Sequence, residues 1–282
     1  MPELPEVETM RRGIEPIVGS VVEGVENVRC TKRPILISPR LASFRERVTG
    51  RRVDRLTRLG KRVAIWLDSG DAVVVEPRMT GLVLLVDPPT REHLRWRMLL
   101  NAGPNEAVQY WDRRGLGSVR LFSEKQLAEQ YGPHALGPDA LEITAEQYRE
   151  RLAGSRRELK VALLDQRAVA GIGNLYAAEI LYLAGIHPRK RCSAMSAAQW
   201  RALADATHAV LEEAVRYEGS TLGDGTYRNA LNQDGSYQNM HRVYGRAGRR
   251  CPRCPDQEIE RIVQAQRSTF FCAGCQTRSG SA

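Results

Sequence analysis

The chain has 282 residues, with 42 Lys+Arg against 33 Asp+Glu, a formal net charge of +9. Hydrophobic residues make up 42% and charged residues 27%, ordinary globular proportions that exclude a wholly disordered chain, a collagen and a coiled-coil rod. No apolar run reaches the roughly 18 residues of a membrane span. The length suggests two domains, or one domain with a small appendage. The opening MPELPEVETM carries three glutamates and no basic stretch followed by an apolar one; it is no signal peptide, and the expected compartment is the cytoplasm. Only Lys32, Lys61, Lys125, Lys160 and Lys190 are lysines. The other basic residues are arginines, whose guanidinium pairs bidentately with phosphate. Codon bias and solubility would explain the same excess.

In chain order, Val7, Met10, Ile14 and Ile17 recur at three- and four-residue steps, predicting a helix from Pro5 to Val18. Proline suits its first turn. Short β-branched or alternating runs follow at 20–28, 51–56, 62–67, 72–77, 82–86, 95–101, 107–111 and 119–122, separated by turn signals. Strands so short and close predict a β-sandwich or barrel, not a doubly wound sheet. The Pro/Gly-rich stretch 131–138 reads as a hinge. Helices are predicted at 145–152, 157–166, 175–183 and 197–217. Thr221–Asn239, with three glycines, reads as a long mobile loop.

Near the end stand Cys251-Pro-Arg-Cys254 and Cys272-Ala-Gly-Cys275, 17 residues apart. Two CxxC pairs at that distance have a tetrahedral zinc spacing. Two disulfides or two redox motifs are the alternatives; no secretion signal or βαβ context supports them. Four thiolates leave no open coordination position, so the ion is expected to be structural. Short strands at 258–263 and 268–271 fit a hairpin between the pairs. Residues 241–282 hold eight arginines and three acids, which favours a grip on nucleic acid. Cys30 and Cys192 stand alone and read as small apolar packing residues.

Pro2-Glu3-Leu4-Pro5-Glu6 carries the chemistry. Removal of Met1 would expose a secondary amine with a reference pKa of roughly 7.7–8.0. A helix starting at Pro5 and a nearby Lys61 cation both disfavour its protonated form. A neutral amine attacks an aldehyde-like carbon and forms an iminium, and Glu3 can move a proton beside it. Many chains begin Met-Pro, however, and first-turn glutamates simply complement a helix dipole.

With the CxxC–x17–CxxC end, MPELPEVET resembles the formamidopyrimidine-DNA glycosylase family, the 8-oxoguanine DNA glycosylase/AP lyases. Gly171-Ile172-Gly173-Asn174-Leu175-Tyr176-Ala177-Ala178-Glu179 with Ala184-Gly185-Ile186-His187-Pro188 looks like that family's helix–two-turn–helix. Val243-Tyr244-Gly245-Arg246 and Gln266-Arg267-Ser268-Thr269-Phe270-Phe271-Cys272 match its zinc finger. The match runs in order through essentially the whole chain.

The resemblance implies a multi-domain α+β protein. An N-terminal β-sandwich with a leading helix spans 2–132, a hinge 133–140, a helix–two-turn–helix domain with a lesion loop 141–240, and a four-cysteine zinc-finger β-hairpin 241–282. It implies a bifunctional glycosylase/AP lyase of base excision repair that removes oxidised purines by a Schiff base on Pro2, then β,δ-elimination. Glu3 is implied as acid/base, Lys61 as a proton carrier, Arg267 as a phosphate contact in δ-elimination, and Glu6 as a supporting hydrogen-bonding member. Lysine suits its place because arginine cannot readily lose a proton. Asn174 is implied on backbone phosphate, with Arg156 and Lys160 nearby, although either basic residue equally suits a solvated helix face.

The base must be flipped out and its gap filled. Met79, Arg114 and Leu116 match the gap-filling positions, with Arg114 reading the opposite base; Met79 and Leu116 alone would suggest core packing. Leu116 departs from the usual aromatic, and Arg91 stands near a position that is often histidine. Main-chain N–H groups around Asp234, Gly235, Ser236 and Tyr237 are expected to read the lesion. One structural Zn2+, damaged double-stranded DNA as partner and a monomer acting on the nucleoid complete the expectation. The rivals are an endonuclease VIII-like enzyme for oxidised pyrimidines and a non-catalytic zinc-finger DNA-binding protein.

Overall fold

The computed structural model describes residues 2–277. Met1, whose removal the expected chemistry requires, lies outside the described residues. Contacts divide the chain into two units, one of 1–132 with 215–238, the other of 133–214 with 239 onward.

The first unit is a β-sandwich with a leading helix. Helix α1 covers Leu4–Gly13 and ends earlier than predicted. Gly13 and Pro16 break it, and Glu15–Ile17 forms one 3₁₀ turn instead. The strands are β1 (Val21–Asn27), β2 (Leu36–Ser38), β3 (Val53–Arg58), β4 (Val63–Leu67), β5 (Ala72–Glu76), β6 (Gly81–Leu84), β7 (Leu94–Asn101), β8 (Ala107–Asp112) and β9 (Ser118–Phe122). They form a four-stranded sheet in the order β1-β7-β8-β6 and a five-stranded sheet in the order β2-β9-β5-β4-β3. Only β2 against β9 is parallel. Every residue of β4 is buried, so its apolar run is continuous rather than alternating. One face of β4 and β5 joins the main core with Val22, Trp96, Met98, Val108 and Tyr110. Ala64, Trp66, Ala72 and Val74 face the other way, under Leu127 of α3 (Glu124–Tyr131). A further short helix, α2, spans Leu41–Val48.

The segment 215–238, assigned from sequence to the helical domain, packs with the sandwich. The Glu6 carboxylate accepts the Ser220 N–H at 2.9 Å, and Tyr227 donates to the Glu218 carbonyl at 2.9 Å. Tyr227, Ala230 and Tyr237 are buried, which contradicts a wholly mobile loop.

The second unit carries α4 (Ala145–Leu152), α5 (Leu159–Ala162), α6 (Asn174–Leu183), most of α7 (Ala197–Arg216) and the antiparallel hairpin β10 (Ile259–Gln264) and β11 (Arg267–Cys272). The helix expected over 157–166 shrinks to one turn. Beyond α5 the backbone turns, with Ala168 N–H donating to the Asp165 carbonyl at 2.9 Å. Ala178, Tyr182, Val243, Cys251, Ile259 and Cys272 share one core.

Candidate nucleic-acid and catalytic site

In the first unit, the start of α1 is fixed by a reciprocal capping box. The Glu3 side chain accepts the N–H of Glu6, and the Glu6 carboxylate accepts the Glu3 N–H at 2.8 Å. Glu3 and Glu6 are 4% and 3% exposed, so these bonds form away from water. The second Glu6 oxygen takes the Ser220 N–H. Gly219 is needed there, because its φ is +77° and a Cβ would stand 2.8 Å from Glu6 Oε1. The buried Pro2 is held just ahead of this cap, at the positive end of α1.

Lys61 lies in the two-residue turn between β3 and β4, closed by the Leu59 N–H on the Arg62 carbonyl at 2.9 Å. Gly60 supplies φ +59° at the first central position, the left-handed region that favours glycine. Arg58 fastens this turn to α1: its Nη1 donates to the Gly60 carbonyl at 3.0 Å and its Nε to Glu8 at 3.1 Å. Burial pushes the Glu8 carboxyl up, but hydrogen bonds from Arg11 and Arg12 and the charges of Arg11 and Arg58 outweigh it and hold it below its usual range. Arg58 and Glu8 were missed in the sequence, since nothing local pairs residues 50 positions apart.

The gap-filling candidates occupy two adjoining loops. Met79 is 37% exposed, which removes the core-packing alternative for it. It follows Arg78, whose φ of +50° is rare for a non-glycine residue. Arg114 is exposed and Leu116 half-buried. Asp112, fully buried, joins the two loops. Its Oδ1 accepts the Thr80 hydroxyl at 2.5 Å and the Arg114 N–H at 3.1 Å, and its Oδ2 accepts the Gly117 N–H at 2.9 Å. The Asp112 carbonyl takes Nε of the buried Arg95 at 2.8 Å. Arg95 also donates to Cys30 Sγ, so Cys30, half-buried, is a polar partner and not the apolar packing residue expected. Cys192 is buried as expected. Arg91 is exposed in a 3₁₀ turn before β7.

The lesion-loop expectation fails in its donors. The N–H groups of Gly235, Ser236 and Tyr237 are taken by Thr221 Oγ1 and by the carbonyls of Tyr217 and Gly219, each at 2.9 Å. Asp234 is exposed and ion-paired with Arg228 at 3.4 Å. The exposed tip of this segment is Gly223–Gly225.

In the second unit, α6 begins at Asn174 after Gly171, with φ +107°, and the N-cap Gly173. The Gln166 side chain shapes this approach, accepting the Gly171 N–H at 2.9 Å and donating to the Ile172 carbonyl at 2.9 Å. Lys160 is fully buried and donates to Asn174 Oδ1, so it is no solvated helix face, whereas Arg156 is exposed. Asn174 Nδ2 donates to the Ser268 carbonyl at 3.0 Å, beside Arg267. Arg267 is exposed at the end of a two-residue turn in which Ala265 and Gln266 have φ of +45° and +61°. Deeper along α6, the buried Glu179 accepts the N–H groups of Arg242, Val243 and Tyr244 at 2.8–2.9 Å. One helix thus positions both the two-turn junction and the hairpin. The sulfurs of Cys251, Cys254, Cys272 and Cys275 lie within 4.8 Å of one another, a cluster that can hold a metal ion.

The N-terminal part, residues 1–119, matches the family model described as formamidopyrimidine-DNA glycosylase N-terminal domain, and residues 135–225 match that family's H2TH domain. A formamidopyrimidine-DNA glycosylase of Chloroflexus aurantiacus is 37% identical over 277 residues, covering 98% of each chain. The chain belongs to the formamidopyrimidine-DNA glycosylase family. A relative of that name from Paracoccus denitrificans is 38% identical, covering 98% of this chain and 100% of the relative. Among solved structures, a Lactococcus lactis Fpg mutant bound to Fapy-dG DNA superposes with a TM-score of 0.85 at 31% identity, over 98% of this chain and 100% of that one. The Lactococcus lactis Fpg complex with abasic-site DNA gives 0.85 at 30% identity, over 98% and 99%. Membership of this family of DNA glycosylases agrees with the α+β architecture and with a described region in which no helix is long and apolar enough to cross a membrane.

Proposed function

We propose that the protein is a bifunctional DNA glycosylase and AP lyase that excises oxidised purines, chiefly 8-oxoguanine and formamidopyrimidines, from duplex DNA. The observation that carries this reading is the buried Pro2–Glu3 start of α1, capped by Glu6, with the Lys61 turn fastened to the same helix through Arg58. Once Met1 is gone, the Pro2 nitrogen is a secondary amine at a helix N-terminus. The helix dipole disfavours its cation and keeps a reactive lone pair at neutral pH.

That lone pair attacks the sugar C1′. The N–C1′ bond forms as the C1′–base bond breaks, and the base leaves with the bonding electrons and takes up a proton. Glu3 serves the ring oxygen as the sugar opens to the iminium. Removal of a C2′ proton, with Lys61 as proton carrier, expels the 3′ phosphate in β-elimination. Arg267 braces phosphate and promotes departure of the 5′ phosphate in δ-elimination, and water then frees Pro2. Met79, Arg114 and Leu116 fill the gap left by the flipped nucleotide. Asn174 and the N–H groups after Gly171 hold backbone phosphate, with Arg156 as an outer cationic contact. Lys160 acts behind Asn174 by orienting it.

The four cysteines suit Zn2+. Zn–S bonds of about 2.3 Å in a tetrahedron place sulfurs roughly 3.8 Å apart, and Cys251 and Cys275 Sγ are 3.6 Å apart. All positions are taken by thiolate, so the ion would lock the hairpin that carries Arg267 and supply no chemistry to the sugar. The protein works as a monomer on nucleoid DNA in the cytoplasm.

A panel of duplexes tests the reading. Excision should be fastest with 8-oxoguanine opposite cytosine or with a formamidopyrimidine, and absent on undamaged DNA. A Lactococcus lactis Fpg complex contains an oxidised pyrimidine, so thymine glycol belongs in the panel. Preference for thymine glycol would replace the purine assignment. Binding without excision on any duplex would leave a DNA-binding protein alone.

A further inference from the structure

We infer that Asp112 is a positioning residue that locks the Met79 turn and the Arg114–Leu116 loop into one body, so that filling the gap and reading the opposite base occur together. The inference deepens the proposed function and rests on it.

Asp112 is a fully buried carboxylate at the end of β8, and burial of such a charge is costly unless its oxygens are well bonded. Here both oxygens are committed to backbone and side-chain donors of the two loops. Oδ1 receives the Thr80 hydroxyl, adjacent to Met79, and the N–H of Arg114. The Arg114 N–H also reaches Thr80 Oγ1 at 3.0 Å, so Asp112, Thr80 and Arg114 close a three-cornered hydrogen-bond ring. Oδ2 receives the N–H of Gly117, on the far side of Leu116. One carboxylate thus brackets Leu116 between two bonded neighbours and ties that bracket to Met79.

The surroundings leave little room for either loop to shift alone. A Cβ on Gly81 would stand 2.4 Å from the Tyr110 hydroxyl, and one on Gly115 would stand 2.2 Å from the Arg33 carbonyl. Arg95, 2% exposed, holds the Asp112 carbonyl from behind. Met79, Arg114 and Leu116 themselves make none of the bonds to this carboxylate through their side chains, which stay available for DNA. A buried ionic anchor beneath exposed tips is a device for register.

The test compares Thr80→Val, Thr80→Ser and Asp112→Asn with the parent chain. Two rates are read for each: excision of 8-oxoguanine opposite cytosine relative to opposite adenine, and cleavage of an abasic site in single-stranded DNA. A single strand has no opposite base and no stack to fill. Thr80→Val should lower the cytosine-over-adenine ratio about tenfold, the scale of one lost hydrogen bond to a charged acceptor. Thr80→Ser, which keeps the hydroxyl, should stay within about twofold of the parent, as should single-strand cleavage by every variant. Asp112→Asn should lower the ratio at least as far as Thr80→Val. A reduced folded fraction would lower both rates together and leave the ratio alone, so that outcome overturns the inference, as does an unchanged ratio in Thr80→Val. Absence of cleavage by the parent chain would overturn the proposed function as well, whereas parent activity with insensitive variants would overturn only the inference.

Discussion

Replacement of Glu8 by glutamine probes the joint between α1 and the Lys61 turn. The Glu8 and Arg58 side chains are 9% and 8% exposed, so the variant leaves a buried guanidinium without its carboxylate. Arg11 and Arg12, at 19% and 59%, can turn toward water and add little. Removing one partner of a buried pair costs about 3–5 kcal/mol; glutamine keeps part of the hydrogen bonding, so about 3 kcal/mol is expected at pH 7. In urea that is a midpoint shift of about 1 M. Tryptophan fluorescence suits the assay, because Trp66, Trp96 and Trp111 all lie in the first unit and only Trp200 in the second. Glu8 titrates lower in the folded chain than its ordinary value. The unfolded state therefore binds the proton first, and the carboxylate's contribution is complete above about pH 4.3. It is lost as pH falls through the lower folded value. The gap between parent and variant should stay constant from pH 7 to 5 and narrow at pH 3.5. A gap below about 0.5 kcal/mol at pH 7, or one that does not narrow in acid, would refute the reasoning.

Three further outcomes follow from the same structure. Metal analysis should find one zinc per chain, and chelation should abolish duplex binding by releasing the hairpin that carries Arg267; full binding by metal-free protein would contradict this. Gly117→Ala places a Cβ 1.8 Å from the Tyr110 hydroxyl and 2.6 Å from the Glu76 carbonyl, so thermal melting should show a loss of about 2–3 kcal/mol in the first unit. Asn174→Ala removes the bond to the Ser268 carbonyl and should weaken binding about tenfold on every sequence alike, read by fluorescence anisotropy on two unrelated duplexes.

Where neighbours in sequence are neighbours in space, the chain was readable. The β-branched runs became β3 to β5, and the two CxxC turns converge because a hairpin returns between them. The α1 start was read one residue late, at Pro5, and its first-turn glutamates only as dipole complements; their reciprocal cap emerges from the structure. What escaped had weak local signals. Helix α2 buries only Phe44 and Val48, α3 only Leu127, and β2 is three residues long with Leu36 57% exposed. Lys160 gave no sign of burial because Asn174, its acceptor, lies beyond a turn. The stretch 234–237 resembled a mobile donor loop, yet the N–H groups of Gly235, Ser236 and Tyr237 are claimed by Thr221, Tyr217 and Gly219. Asp112 was passed over inside the motif that it organises, since composition cannot show a carboxylate bonded on both oxygens.

The central claim is that Pro2 supplies the nucleophile. Borohydride reduction during reaction with an 8-oxoguanine duplex, followed by digestion and mass mapping of the DNA-linked peptide, tests it most directly. The account predicts a chain lacking Met1 with the reduced sugar on the Pro2 nitrogen. An adduct on Lys61 or another lysine, or efficient excision by chains that retain Met1, would contradict it.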